Sequence, residues 1–180
     1  MTHADPLAVP TQWVRRWAHL VPAKGPVLDL ASGGGRHARF FAGRGHPVTA
    51  VDIRLDAMAD LAGDGRFELV QADLETAPWP LGGRRFAGIV VVNYLHRPLW
   101  PHLIDSLDEG GVLIYETFAQ GQADFGRPSN PDFLLAPNEL VERVGPDLTI
   151  VAYEHGVDHT PNPAARQRVA AVRGRALSPL

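Results

Sequence analysis

The sequence predicts an α/β fold: a doubly wound, seven-stranded sheet, mostly parallel, with an antiparallel C-terminal hairpin strand. Three observations predict it. Apolar runs rich in Val, Ile and Leu alternate with helical patterns between residues 26 and 118. One of them, FAGIVVVNYL (86–95), has the continuous hydrophobicity of a strand buried on both faces. The last two strand patterns, 148–156 and 165–177, are joined only by the turn VDHTPNP, so they pair as a hairpin at one edge.

Each element has its own warrant. An opening helix over about Pro10 to Leu20 places Trp13, Trp17 and Leu20 on one face, and PAKGP (22–26) breaks it. PVLDLAS (26–32) is the first strand. Arg36 to Gly45 is a helix that ends on glycine, and HPVTAVD (46–52) is the second strand. A helix over Arg54 to Ala62 leads to a third strand, RFELVQAD (66–73), closed by the turn-rich TAPWPLGG. After the buried fourth strand, PLWPHLIDSL (98–107) is helical, with Pro101 tolerated in its first turn. GGVLIYETF (110–118) is the fifth strand, and NELVERV (138–144) a short helix before the closing hairpin. Between them lies a loop, 119–137, too long for a connector and stiffened by aromatics and prolines. Such loops are commonly lids, and Arg127 and Phe133 would be its contribution to a site.

Composition bounds the function. The 180 residues fit one domain, 1–180, with 1–25 as an N-terminal helix and cap. No apolar run reaches the roughly 18 residues of a membrane span, and the N-terminus lacks the basic and apolar regions of a secretory signal. A formal net charge of -3 gives no broad attraction to nucleic acid or anionic lipid. The absence of cysteine excludes disulfides, thiolate nucleophiles and cysteine-ligated metals, and a cytoplasmic location is the expectation. Lys24, the single lysine, sits in the PAKGP turn, which argues against Schiff-base chemistry.

The chemistry concentrates where the first strand meets its helix. Gly33-Gly34-Gly35-Arg36-His37-Ala38 fits G-x-G-x-x-A, in which glycines let the backbone approach a ligand and present free N–H groups to it. Asp52 ends the second strand, about 20 residues into the unit, where a carboxylate accepts ribose hydroxyls. Both features suit adenosine-type ligands generally, within a Rossmann-like frame. Asp29 narrows the choice. A carboxylate inside the first strand is costly unless it organises the loop amides or meets a cationic amine, and a pyrophosphate beside it would be repelled. Asp73, closing the third strand at the same crevice, is placed to accept an adenine amino proton.

In order and spacing, VLDLASGGGRHARFF, VTAVDI, VQADLETAPWPL and FAGIVVVNYLHRPL resemble the motifs of class I S-adenosylmethionine-dependent methyltransferases. The resemblance runs from about Pro26 to the closing hairpin, and the sequence looks most like small bacterial single-domain enzymes related to tellurite-resistance-type methyltransferases. It implies S-adenosyl-L-methionine as cofactor and in-line methyl transfer to a nucleophile. By position, the methionine part would lie over Ala31, Gly33 and Gly35. The ribose would meet Asp52, with Ile53 under the adenine, and the adenine edge would meet Asp73 and the Leu74 amide. The sulfonium would sit near Asn93 and Tyr94. One departure stands out: Ala31 occupies a position where the family usually has glycine.

On the acceptor side, Asn93, Tyr94 and His96 are candidates to bind or deprotonate the nucleophile, a histidine near its ordinary pKa being suited to base work. Tyr115, Glu116 and Phe118 end the fifth strand and should face the same crevice, where Glu116 orients an acceptor or pairs with Arg127. The turn NYLH lacks the prolines of the family's adenine and glutamine methylators, which counts against adenine or glutamine as acceptor; with no appended domain and no basic surface, a small-molecule acceptor is expected. His155 and His159 stand four apart, but in a Gly- and Pro-bounded turn they need not converge, and no metal site is expected. Two other functions share parts of the pattern. An NAD(P)-dependent oxidoreductase would use the glycines and Asp52 but has no use for Asp29 or the hairpin. A non-catalytic S-adenosylmethionine-binding module would keep the loop with an inert acceptor side. Oligomeric state and acceptor atom type are open.

Overall fold

In the computed structural model, which describes residues 9–159 and 162–174, the seven strands are β1 (Val27–Leu30), β2 (Val48–Asp52), β3 (Phe67–Gln71), β4 (Phe86–Val92), β5 (Leu107–Phe118), β6 (Leu148–Asp158) and β7 (Ala164–Arg173). They form one sheet in the order β3-β2-β1-β4-β5-β7-β6. Neighbours from β3 through β5 run parallel, and β7 inserts antiparallel between β5 and β6. The last hairpin is therefore at the edge, with its second strand folded inward. The expected extension of that strand to 177, turn residues 160–161 and the first eight residues lie outside the described residues.

The pleat sorts side chains into two cores. On one face Val27, Val48, Val90 and Ile114 pack under helices α1 (Gln12–Trp17) and α2 (Arg36–Gly43), with Trp13, Trp17, Phe41 and Met58. On the other, Leu28, Leu30, Ile89 and Leu113 pack under α3 (Trp100–Asp105) and α4 (Glu139–Val144), with Trp100, Leu103 and Leu140. All seven residues of β4 are buried, as its unbroken apolar run requires.

Several elements differ from their sequence pattern. The helix expected over 54–62 is a 3-10 helix, Asp56–Leu61. Its two anchors, Met58 and Leu61, are three apart and both buried, which a three-residue turn serves as well as an α-turn does. The helix expected over 98–107 is divided into a 3-10 turn, Arg97–Leu99, and α3, with Pro101 in the first turn, where no intrahelical N–H is lost. β5 begins at Leu107, before the expected Gly110, because a register shift between Phe86 and Gly88 absorbs the extra residues. No helix among the described residues is long and apolar enough to cross a membrane.

Candidate active site

The sheet order reverses between β1 and β4, and this is where an open α/β sheet leaves a crevice at its carboxyl edge. Both strands leave the sheet by a left-handed residue, Ala31 at φ +54° and Asn93 at φ +57°. Asparagine takes that conformation readily; alanine does so at a cost of about 1–2 kcal/mol. After Ala31 the loop turns through Gly33 (φ +56°) and Gly35 (φ +75°) into α2. A Cβ on Gly33 would meet nothing within 4 Å, so its surface is open, whereas one on Gly35 would lie 2.8 Å from Met58 Sδ. The two glycines thus have different duties: Gly33 borders free space, and Gly35 packs against the core.

Three acidic side chains hold this edge. Asp29, 2% exposed, accepts the Ala38 N–H at 2.8 Å and so caps the first turn of α2 from within β1. Burial pushes its carboxyl up to about 7, against the opposing pull of that N–H and of Arg36. Asp52 accepts the Gly33 N–H on Oδ2 at 2.7 Å and the Arg54 N–H on Oδ1 at 3.1 Å. Asp73 accepts from the Thr76 hydroxyl (2.5 Å) and from the Glu75 and Thr76 amides, so its carboxylate is largely spent on its own turn. These bonds hold it below the usual carboxylate range, the Thr76 hydroxyl contributing most. The Leu74 N–H has no acceptor among the described residues. Ile53, next to Asp52, leaves 56% of its surface exposed.

On the β4 side, the Tyr94 hydroxyl is buried without a hydrogen-bond partner. Burial first, and then the charges of Glu75, Asp73 and Asp52, raise its pKa, so the phenol holds its proton throughout the neutral range. Tyr94 is fixed from behind, because Tyr115 donates its hydroxyl proton to the Tyr94 carbonyl at 2.6 Å and stacks on Trp100. Tyr115 therefore does not face the crevice as expected. The two-residue period of β5 sends Tyr115 to one face and Glu116 and Phe118 toward the cavities.

Two cavities meet at Asn93. The smaller, about 260 Å³, lies between Tyr94, Glu75, Phe118 and Phe133. The larger, about 790 Å³, is a polar cleft between the N-terminal segment, Asn93, Glu116, loop residues Phe125 to Arg127 and the end of β7. Glu116 accepts Arg168 Nε–H at 3.0 Å and does not pair with Arg127, which also lines the cleft. Arg166 donates to Asn93 Oδ1 at 2.6 Å, over the Phe118 ring. These two arginines were missed in sequence. Their signal was the i, i+2 spacing in a strand, which puts both on one face opposite Glu116.

His96 lines neither cavity, and its charge is felt by Asp73. Arg97 accounts for its neighbour: it forks onto Glu139 (2.7 and 2.9 Å) and donates to the Asp132 and Leu134 carbonyls, tying loop 119–137 to the sheet. His155 lies in β6 and His159 beyond its end, and no cluster of three metal-ligating side chains occurs among the described residues.

A sequence profile described as "Methyltransferase domain" matches residues 27–109, the span that holds β1 to β4 with Asp29, Asp52 and Asp73. Residues 27–109 are thus similar to a methyltransferase domain. The chain is similar in fold to TehB from Haemophilus influenzae (TM-score 0.73, 20% identity, 93% of this chain), of whose length it spans 63%. It is also similar to the 1,6-didemethyltoxoflavin-N1-methyltransferase of Burkholderia thailandensis, solved with 1,6-didemethyltoxoflavin and S-adenosylhomocysteine (TM-score 0.70, 20% identity, 96% of this chain and 79% of that one). A third likeness is to the glycopeptide N-methyltransferase MtfA complexed with sinefungin (TM-score 0.63, 23% identity, 97% and 98%). At these identities the likenesses establish the fold. No curated protein matches the sequence.

Proposed function

We propose that this chain is a methyltransferase that holds S-adenosylmethionine along the carboxyl ends of β1, β2 and β4 and methylates a small-molecule nucleophile in the adjoining cleft. The observation that carries the reading is the junction of the two cavities at Asn93, the larger of which reaches Arg36, the residue after the glycine loop. The residues present suit the donor. Open space lies over Gly33, the Tyr94 hydroxyl is a buried donor without an acceptor, and Ile53 offers an exposed apolar surface next to a carboxylate. Bound there, the donor supplies an electrophilic methyl group carried on a sulfonium.

The chain's own residues do the rest. Asp52 keeps a lone pair on each oxygen for ribose hydroxyls, while its bond to Gly33 fixes the loop in its open shape. Asp29 acts from behind, through Ala38, and positions the loop and helix. Asp73 and the Leu74 N–H take the adenine edge, Asp73 through the lone pair its own turn leaves free. Ala31, Gly33 and Gly35 border the methionine part. Tyr94 donates a hydrogen bond and is not a base at neutral pH, and His96 lines neither cavity. Loop 119–137 covers both cavities, Arg127 at the larger and Phe133 at the smaller, its base held by Arg97. Much of the rate comes from positioning and exclusion of water.

Thermal shift tests this reading. S-adenosylhomocysteine at a hundredfold excess over Kd adds about 2.7 kcal/mol, which raises Tm by roughly 5–10 °C for a domain of this size. Asp52→Ala removes two charge-assisted bonds of about 1.5–3 kcal/mol each and abolishes most of the shift. A shift with NAD and none with S-adenosylhomocysteine would overturn the proposal in favour of an oxidoreductase.

A further inference from the structure

Five arginines line the large cleft, Arg15, Arg36, Arg127, Arg166 and Arg168, against two carboxylates, Glu116 and Asp158. Both carboxylates are engaged from within the protein: Arg168 pairs with each, and Arg166 Nε lies 3.6 Å from Asp158. The guanidinium groups of Arg15, Arg36 and Arg127 have no ion-pair partner among the described residues. Even if a donor's single carboxylate took one of the three, the cleft would present an excess of positive charge to whatever enters beside it. Phe118 and Phe125 border the same space.

One acceptor atom faces this charge. Glu116 is 2% exposed; its Oε2 is held by Arg168, and its Oε1 is buried with no hydrogen-bond partner. An unsatisfied carboxylate oxygen is costly, and a donor on a ligand in the cleft would satisfy it after a small rotation about χ3, a soft torsion.

We infer that the methyl acceptor is a small organic anion, a carboxylate or phosphate seated by Arg127 and Arg15, whose nucleophilic N–H or O–H donates to Glu116 Oε1. The name acceptor rests on the methyl-transfer reading; the anion site does not. On transfer, the nucleophile's lone pair forms the new bond to the methyl carbon and the S–CH₃ bonding pair stays on sulfur. The proton shed by the nucleophile passes to Glu116 Oε1 and then to solvent.

The test is calorimetric, on the full chain, with aryl carboxylates bearing an amine or hydroxyl (anthranilate and 4-hydroxybenzoate), each paired with its neutral carboxamide. The carboxylates should bind at least tenfold more tightly than the carboxamides, and R127A and R15A, both at exposed positions, should each reduce that preference severalfold. Replacing 4-hydroxybenzoate by benzoate should weaken binding to the wild type but not to E116Q, in which the glutamine carbonyl turns to Arg168 and an amide N–H takes the place of Oε1. Equal affinity for carboxylate and carboxamide, no binding of either, or an anion preference unmoved by both arginine variants overturns the inference. Selenite binding as tightly as the aryl carboxylates, with E116Q indifferent, replaces the organic anion by an inorganic one. All titrations are repeated with S-adenosylhomocysteine present. Its failure to bind, with the anion preference intact, defeats the methyl-transfer reading and leaves the anion site standing.

Discussion

Ala31 takes a backbone conformation that glycine takes without steric cost. Ala31→Gly removes a left-handed cost of about 1–2 kcal/mol and adds the greater unfolded-chain entropy of glycine, about 0.5–1 kcal/mol. The expected outcome is a gain of about 0.5–1 kcal/mol and a Tm raised by a few degrees in the ligand-free protein, measured by calorimetry. Gly35→Ala should do the reverse, since it adds the same backbone cost and drives a Cβ against Met58. A loss of about 2–4 kcal/mol is expected. Asp29 and His37 make an opposed pair in pH. Asp29 is raised by burial to about 7, so the native state binds the extra proton and its stabilising share, fully present below pH 4, is lost as pH rises through 7. His37 is lowered by burial to about 3, so its share is present above pH 6.5 and lost as pH falls toward 3. Between about pH 4 and 6.5 the two slopes cancel. Asp29→Asn, which keeps an acceptor for Ala38, removes one of them. Denaturant titrations should then show the variant gaining stability relative to wild type as pH rises from 4 to 7, and parallel curves would contradict this.

At the scale of elements, loop 119–137 is tied down more firmly than its length suggests. Leu135 pairs with Ala119 and Phe118, Gln167 donates to the Ala136 carbonyl at 2.6 Å, and Gln122 joins the Arg127 carbonyl to the Ala165 N–H. Arg97 completes the base. The tip keeps Phe125 and Phe133 exposed, as a surface that closes over a ligand would. Arg97→Ala leaves Glu139 buried without its main partner and should cost about 3 kcal/mol. Hydrogen exchange should accelerate at residues 131–136 while β4 stays protected; unchanged exchange there would show that the loop holds without Arg97.

For the whole molecule, the sequence by itself determined the β1-to-β5 series, the closing hairpin and the placement of Asp29, Gly33, Gly35 and Asp52 at one edge. These are local facts: a strand's period, a glycine after a strand and an acid at a strand end follow from neighbours in the chain. Residues 54–62 were legible as helical but not as 3-10, because a six-residue turn is decided by what its two anchors pack against, and 98–107 was legible as one helix rather than a 3-10 turn followed by α3. Tertiary structure alone decided the partners. Asp73 was legible as a site acid, yet Thr76 and its own turn occupy most of it. Glu116 was legible as a cleft residue, yet its partner is Arg168, fifty-two positions away, because β7 folds inward and lies beside β5. The same insertion carries Arg166 to Asn93 and makes the cleft positive. Periodicity says which way a side chain points; only the closure of the sheet says what it meets.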